Sequence, residues 1–196
     1  MNLKRDRILY EAAALFNERG YLQTSVDAIA ERLGASKPFV YYHFASKVDL
    51  LVEICERGTG DALTAIDEAL EGGGTPLHKL ERFVRAFTQA ALRNHEFVAI
   101  YFREEFNLPQ EAIERIRVMR KAINRKMRGL LAEGVAAGEF DIDDPGMAAL
   151  VIAGMSSYVF AWYREHGRLD MEKVTGYVTQ MALKMVRAGA PAAVAA

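Results

Sequence analysis

The chain has 196 residues, of which 51% are hydrophobic and 26% are charged, and its formal net charge at pH 7 is −1. This length suffices for two small domains or one larger one with a packed core. The balance of charges excludes a protein that binds polyanions through bulk charge alone. Residues 1–47 carry seven basic and five acidic side chains, a weak positive bias that fits DNA binding only if specific contacts support it.

Cysteine usage and hydropathy bear on the compartment. Cys55 is the single cysteine, and its apolar helical surroundings predict a buried thiol in a reducing environment. Residues 2–11 are charged and do not form a signal peptide, so we expect a cytoplasmic protein. The 17 uncharged residues 147–163 fall short of the roughly twenty that a membrane span needs, so no membrane partner is expected.

Two helices are predicted at the start of the chain. Apolar residues recur at helical spacing over residues 3–19, and Gly20 ends that helix. The next helix carries its own apolar stripe, and Thr24 or Ser25 can cap its N-terminus. Gly34 follows its last apolar residue, where a helix C-terminus favours a left-handed conformation.

A short third helix follows at once. Ser36 caps it, and it runs from Lys37 to about Tyr42, with Pro38 tolerated in the first turn because amides there lack helical partners. Two helices joined by a short turn that contains glycine have the spacing of a helix-turn-helix, whose second helix lies in the DNA major groove. The sequence therefore predicts a nucleic-acid reader.

The side chains of this short helix suit DNA. Lys37 can donate to guanine O6 and N7, and Pro38 and Phe39 offer apolar surface to a thymine methyl. The alternative is that the aromatic residues only pack a three-helix core, which is the role expected of Val40 and Phe44. The predicted DNA contacts are Thr24, Ser25, Ser36, Lys37, Pro38, Phe39, Tyr41, Tyr42, His43 and Lys47, the last four at phosphates.

Residues 35–47, ASKPFVYYHFASK, resemble the TetR/AcrR family of one-component transcriptional repressors. The resemblance covers about the first 50 residues, and the Tyr-x-His-Phe-x-x-Lys cluster within it is specific to that family among helix-turn-helix proteins. It implies an all-α homodimer with a DNA-binding and a ligand-sensing domain, whose ligand releases palindromic operator DNA. Asp27 departs from the family, several members of which carry a polar or basic residue there near phosphate. Asp27 is therefore given no DNA contact.

The rest of the chain is helical throughout, without strand-like alternation or repeats. Gly58 and Gly60 weaken the expectation of an unbroken fourth helix. Further helices are predicted over residues 46–70, 76–91, 97–106, 109–137, 147–163 and 170–187, about nine in all. The expected fold is all-α, with a three-helix helix-turn-helix domain in 1–47, a ligand-binding and dimerisation bundle in 48–188, and a disordered tail in 189–196.

The last two helices are the predicted dimer interface. The segment 147–163 is apolar all round and rich in small residues, which favours burial against another helix. The helix 170–187 adds a narrow apolar stripe, so two helices from each chain would form a four-helix interface, where the family resemblance also places its dimer. Between residues 115 and 128 a basic helix face is either solvated or holds an anionic ligand.

An effector site is expected among the middle helices, although aromatic residues at helical spacing are more often plain core. Residues 97–106 and 162–164 resemble the branch of the family that senses fatty-acyl or other acyl-CoA thioesters. A lipophilic drug or an aromatic compound is the alternative effector. The predicted ligand-binding residues are Phe87, Phe97, Tyr101, Met119, Ile123, Met155, Tyr158 and Trp162, with Arg103, Arg120 and Arg164 for phosphates.

Two other classes of protein compete with this interpretation. A helical enzyme is disfavoured because the four histidines are dispersed and no phosphate loop or nucleophile elbow is present. No catalytic residue, metal or cofactor is therefore predicted. A helical adaptor that keeps the helix-turn-helix without using it would select no DNA sequence.

Overall fold

The computed structural model of the protein describes residues 3–164 and 167–186. All regular structure in these residues is helical, so the predicted all-α class is confirmed. Short 3-10 segments follow the sixth and eighth helices at Glu105–Asn107 and Tyr158–Ala161. The α-helices are α1 (Leu3–Arg19), α2 (Val26–Leu33), α3 (Lys37–His43), α4 (Lys47–Leu70), α5 (Pro76–Arg93), α6 (His95–Glu104), α7 (Gln110–Ala136), α8 (Pro145–Ser157) and α9 (Met171–Val186).

The internal contacts of the chain divide it into two compact units. The first unit contains the residues up to Gly60 together with Asn94–Val118, and the second contains Asp61–Arg93 together with the residues from Met119 onward. Helices α4 and α7 contribute residues to both units. The domain boundary at residue 47 stays a prediction, and the tail predicted for 189–196 lies outside the described residues.

The first unit is built around α1. Helix α1 packs against α2, α2 packs against α3, and α6 also packs against α1. Val40 and Phe44 are buried, which confirms their predicted core role. The aromatic ring of Tyr10 on α1 lies 5.2 Å from that of Phe97 on α6, centroid to centroid. Helix α6 is thus part of the same packed unit as the helix-turn-helix.

Local capping explains where the short helices begin and end. Of the two candidate caps for α2, Ser25 is the one used, since its Oγ accepts from the Ala28 amide at 3.1 Å. Gly34 ends α2 with φ of 64°, a conformation that costs little only for glycine. Ser36 caps α3 by accepting from the Phe39 amide at 3.4 Å. These caps confirm the predicted bounds of the helix-turn-helix.

The second unit has its core between α5, α8 and α9. Helix α5 packs against both of the others, and α7 contributes apolar side chains to the same buried cluster. Gly134 on α7 is a site of close approach, because a Cβ atom there would overlap the ring of buried Phe140. No helix among the described residues is long and apolar enough to cross a membrane.

One predicted helix is confirmed despite its two glycines, and another ends earlier than predicted. Helix α4 runs unbroken through Gly58 and Gly60, in agreement with the predicted span of residues 46–70, and a Cβ at Gly58 would lie 3.4 Å from Val98 Cγ2, an ordinary van der Waals contact. Helix α8 ends at Ser157, whereas the sequence predicted a helix to residue 163. The Ser157 hydroxyl donates to the Gly154 carbonyl at 3.4 Å, a local bond that competes with regular helix, and a 3-10 segment follows.

Candidate nucleic-acid interface

Helix α3 has one buried side and one exposed side. Val40 is buried in the core of the first unit, whereas Lys37, Tyr41 and Tyr42 are exposed, with Tyr42 retaining 85% of its accessible surface. An aromatic side chain with a hydroxyl and so much exposed surface contributes little to folding. The exposed side is therefore free to meet a ligand as large as a duplex.

Ring packing holds the C-terminal half of α3 together. The His43 ring lies 5.1 Å from the rings of Phe39 and Tyr42, edge to face in both cases. Arg5 on α1 supports this end, since its guanidinium donates to the His43 carbonyl, lies 4.1 Å from the Phe44 ring and pairs with Glu53. The exposed side chains are thus presented on a braced helix.

The N-terminus of α3 carries an ion pair with α2. Lys37 Nζ lies 2.7 Å from Asp27 Oδ2, and both side chains remain exposed to solvent. The hydrogen bond to Asp27 raises the pKa of Lys37, so the ammonium is charged at all physiological pH values. The pairing was missed at the level of sequence, where Asp27 was noted only as a departure from the family.

Two of the predicted DNA contacts, Thr24 and Lys47, form hydrogen bonds within or to the turn before α2. Lys47 Nζ donates to the Tyr21 and Thr24 carbonyls, each at 2.9 Å, and lies 4.3 Å from the centre of the Tyr21 ring. Thr24 is only 1% exposed, and its hydroxyl donates to the Gly20 carbonyl at 2.8 Å. The prediction of a DNA contact by the Thr24 side chain is therefore corrected: Thr24 shapes the turn. Lys47 ties the same turn to α4.

The C-terminal end of α6 forms hydrogen bonds with the end of α1 and with the turn that precedes α2. Glu104 is 8% exposed and accepts from the Tyr21 amide at 3.3 Å. Arg103 donates to the Phe16 carbonyl and to Asn17 Oδ1, both at 3.0 Å. These contacts tie the Arg103 guanidinium to the end of α1, and the binding of ligand phosphates by Arg103 stays a prediction. Glu104 was missed, although a carboxylate in an apolar, aromatic segment was a usable signal.

Two groups in this region have raised pKa values. Cys55 is buried, as predicted, and burial raises the pKa of its thiol to about 12, with nearby carboxylates, chiefly Glu104, adding to the effect. Burial also raises the pKa of Tyr21, and the carboxylates of Glu104 and Asp49 contribute. Both groups stay neutral at physiological pH, so Cys55 is a packing residue and not a reactive thiol.

The predicted effector residues are distributed over both units. Phe97, Tyr101 and Arg103 belong to the first unit, and the others belong to the second. Phe87 and Ile123 lie in the buried core of the second unit, with Met155 packed against it. The remaining predicted residues are half-buried Met119 and the exposed Arg120, Tyr158, Trp162 and Arg164.

The basic face of α7 is partly neutralised. Arg115 pairs with Glu56 at 2.7 Å, and Lys126 pairs with Asp67 at 2.7 Å. Arg117 pairs with Glu114 of its own helix at 3.1 Å. These contacts favour the interpretation as a solvated face. Within the described part of the chain, no group of three His, Cys, Asp or Glu side chains could hold a metal ion.

Helices α1 to α3 form a helix-turn-helix in which one side of α3 is exposed, and further helices follow it in the chain. This arrangement is typical of helix-turn-helix transcriptional regulators. Residues 8–54 match the family described as "Bacterial regulatory proteins, tetR family", and residues 73–186 match "Tetracyclin repressor-like, C-terminal domain". The chain belongs to the TetR family of transcriptional regulators. The predicted family is therefore confirmed, as is the predicted absence of enzymatic activity, since the homologues are DNA-binding regulators.

Several known proteins are similar over most of their length. The HTH-type transcriptional repressor KstR2 of Mycobacterium tuberculosis is 30% identical over 177 residues, which cover 89% of this chain and 88% of that protein. The TetR-family regulator PfmR of Thermus thermophilus is 30% identical, with a TM-score of 0.84 over 92% of this chain and 97% of that one. AibR, solved with isovaleryl coenzyme A and operator DNA, is 24% identical, with a TM-score of 0.77 over 91% of this chain and 97% of that one. The likeness to AibR shows the fold alone.

Proposed function

We propose that the protein binds palindromic operator DNA as a homodimer and represses transcription until a small apolar or acyl-CoA-type effector releases it. The observation that carries the proposal is the exposed side of α3, which presents a lysine, two tyrosines and a proline while Val40 and Phe44 hold the helix in the core. The proposed function requires a cytoplasmic location, where operator DNA is found.

The DNA contacts follow from the position of each side chain. Lys37 and Pro38, at the N-terminus of α3, reach base edges, because this end of a recognition helix enters the major groove. Tyr42 donates its hydroxyl to a phosphate, which fixes the position of the helix without reading sequence. The proposed contacts are Ser25, Ser36, Lys37, Pro38, Phe39, Tyr41, Tyr42 and His43, all with exposed or half-buried side chains.

Dimerisation is supported by apolar surface on the last two helices. Five large apolar side chains on α8 and α9 are exposed, and such a group on adjoining helices of one folded unit indicates an interaction surface. They are Met147, Leu150 and Val151 on α8 and Tyr177 and Met181 on α9. A symmetric pair would bury them in a four-helix interface and would present two copies of α3. A palindrome is read when these copies lie about one helical turn of DNA apart, roughly 34–36 Å.

Release by an effector is a linkage between two binding sites. A ligand that favours a conformation unable to bind the operator lowers the affinity of the protein for DNA. Bound DNA must lower the affinity of the protein for the ligand by the same factor. Helix α6 offers a route, because Arg103 and Glu104 bond to the end of α1 and to Tyr21, and any shift of α6 displaces the turn that precedes α2. The relative KstR2, which is described as a ketosteroid regulator, supports an apolar effector. AibR, which shares the fold, was solved with isovaleryl coenzyme A, so a thioester is a second class of compound to test.

Selection of bound duplexes from random DNA, followed by gel-shift titration, tests the DNA-binding proposal. We expect a palindrome to be enriched, and Tyr42→Ala to weaken binding by a similar factor on all sequences. Lys37→Ala should instead relax the preference at one base pair in each half-site. Lys173→Ala is the matched control, because Lys173 also forms an exposed ion pair, with Asp170 at 3.2 Å, but lies outside the helix-turn-helix. Enrichment of no sequence would favour the adaptor interpretation.

The effector is tested separately. Operator affinity is measured with and without saturating isovaleryl-CoA, a long-chain acyl-CoA and a steroid, and mass spectrometry of the purified protein identifies any bound molecule. We expect at least one class of compound to weaken operator binding. An unchanged affinity with a given compound removes that compound, and a bound aromatic drug-like molecule would favour the alternative effector.

A further inference from the structure

The ion pair between Asp27 and Lys37 lies at the N-termini of α2 and α3, on the side of the helix-turn-helix that is proposed to contact DNA. Asp27 is in the first turn of α2 and Lys37 in the first turn of α3, with 2.7 Å between Oδ2 and Nζ. In this motif the N-terminal residues of the second helix contact base edges and the first helix crosses the backbone. A carboxylate at this position would repel phosphates unless the neighbouring ammonium neutralises it.

Stability of the fold does not explain the pair. The Asp27 and Lys37 side chains retain 64% and 47% of their exposure, and exposed ion pairs contribute little to folding. Arg32, by contrast, forms ion pairs that connect α2 to α1, with the carboxylates of Glu11 and Glu18. The pair of Asp27 and Lys37 instead joins the two helices that meet DNA.

The geometry restricts what Lys37 can do. An ammonium has three N–H donors and no acceptor, and an isolated lysine rotates freely, so it bonds to any phosphate or base acceptor within reach. The hydrogen bond to Asp27 occupies one donor and fixes the directions of the other two. Two fixed donors match the adjacent O6 and N7 acceptors of guanine. The pair also has no net charge, which weakens its attraction to phosphates in general.

We infer that Asp27 is a specificity-determining residue, which directs the Lys37 ammonium to a guanine edge and withholds it from the phosphate backbone. The inference rests on the proposed reading of operator DNA by α3. Asp27 acts through Lys37 and is a positioning residue, so its removal should strengthen binding to arbitrary DNA while it weakens discrimination between sequences.

The test compares Asp27→Asn with the wild-type protein on the selected operator, on the operator with the guanine replaced, and on random DNA. A bidentate lysine–guanine contact discriminates by about 5-fold to 150-fold, and we expect this ratio to fall at least severalfold in Asp27→Asn. Affinity for random DNA should rise, and its logarithmic salt slope should steepen by about 0.9, the value for one additional phosphate contact. Asp27→Glu, which keeps the carboxylate, should restore the wild-type preference.

Glu31→Gln is the matched control for charge. Glu31 is exposed one turn further along α2 and forms no ion pair with any residue in the described ranges, so its loss changes the net charge equally without freeing Lys37. Asp27→Asn in a Lys37→Ala background should leave the base preference unchanged. Thermal unfolding of each variant checks that the fold is intact.

Three results would overturn the inference. The first is an unchanged preference and salt slope in Asp27→Asn, or changes no larger than those of Glu31→Gln. The second is a loss of preference when Asp27→Asn is added to Lys37→Ala, since Asp27 would then read a base itself. The third is a wild-type protein that selects no sequence, which would also reject the proposed function. A selective wild type with an unaffected Asp27→Asn variant rejects the inference alone.

Discussion

Lys47→Met separates two roles that a lysine at this position can have. The sequence predicted a phosphate contact, whereas the structure shows the ammonium donating to the Tyr21 and Thr24 carbonyls, each at 2.9 Å. Methionine has an unbranched side chain of similar length and apolar character but has no donor. The substitution therefore removes both hydrogen bonds and the contact with the Tyr21 ring while it preserves much of the packing.

The expected loss of stability follows from these contacts. A hydrogen bond to a charged group contributes about 1.5–3 kcal/mol, and a partly exposed cation–π contact contributes about 0.5–1 kcal/mol. Lys47 is half-buried, so water replaces part of what the two carbonyls lose. We expect Lys47→Met to lower the free energy of unfolding of the first unit by about 2–4 kcal/mol. Lys37→Met is the control, because that lysine is exposed and its loss should leave the unfolding midpoint unchanged.

Urea denaturation followed by circular dichroism, with hydrogen exchange of the amides from Gly20 to Ser25, provides the measurement. The single tryptophan, Trp162, belongs to the second unit and would not report on this turn. We expect faster exchange in the turn and an earlier unfolding transition in Lys47→Met. Wild-type unfolding and exchange, combined with a weaker operator affinity and a shallower salt slope, would refute the structural role and restore the phosphate contact.

Three further predictions concern packing, pH and assembly. Gly134→Ala should destabilise the second unit by about 1–3 kcal/mol, because the added methyl overlaps the Phe140 ring, whereas Gly129→Ala on the same helix meets no atom and should be neutral or stabilising in thermal unfolding. Burial raises the pKa of the Cys55 thiol from its ordinary value of 9.0 to about 12, so the folded state favours the neutral thiol. The free energy of unfolding is therefore unaffected by this thiol below pH 9 and falls as the pH rises from 9 towards 12, where the unfolded chain loses the proton and the folded chain keeps it. Denaturation between pH 8 and pH 10.5 should show a smaller loss in Cys55→Ala, and an equal loss would contradict the burial argument. Leu150→Glu should give a folded monomer with much weaker operator binding in light scattering and gel-shift assays, and a persistent dimer would exclude α8 from the interface.

The sequence alone was sufficient for the features that depend on neighbouring residues. Helix bounds in the first 45 residues follow from caps and periodicity, as Ser25, Gly34 and Ser36 show. The same spacing separated buried Val40 and Phe44 from exposed Tyr42. It failed at the end of α8, where a side-chain bond from Ser157 accompanies a change to 3-10 structure that apolar composition does not reveal.

Only the tertiary structure decided which polar groups meet across the fold. Lys47 and the Tyr21 carbonyl are 26 residues apart in the chain, and Glu104 and the Tyr21 amide are 83 apart. Lysines and carboxylates follow no helical period that would indicate such partners, because a charged side chain is tolerated at any exposed position. Packing brings the two ends of a bond together, and that is why the different partners of Lys37 and Lys47 were identified only after the helices were in place.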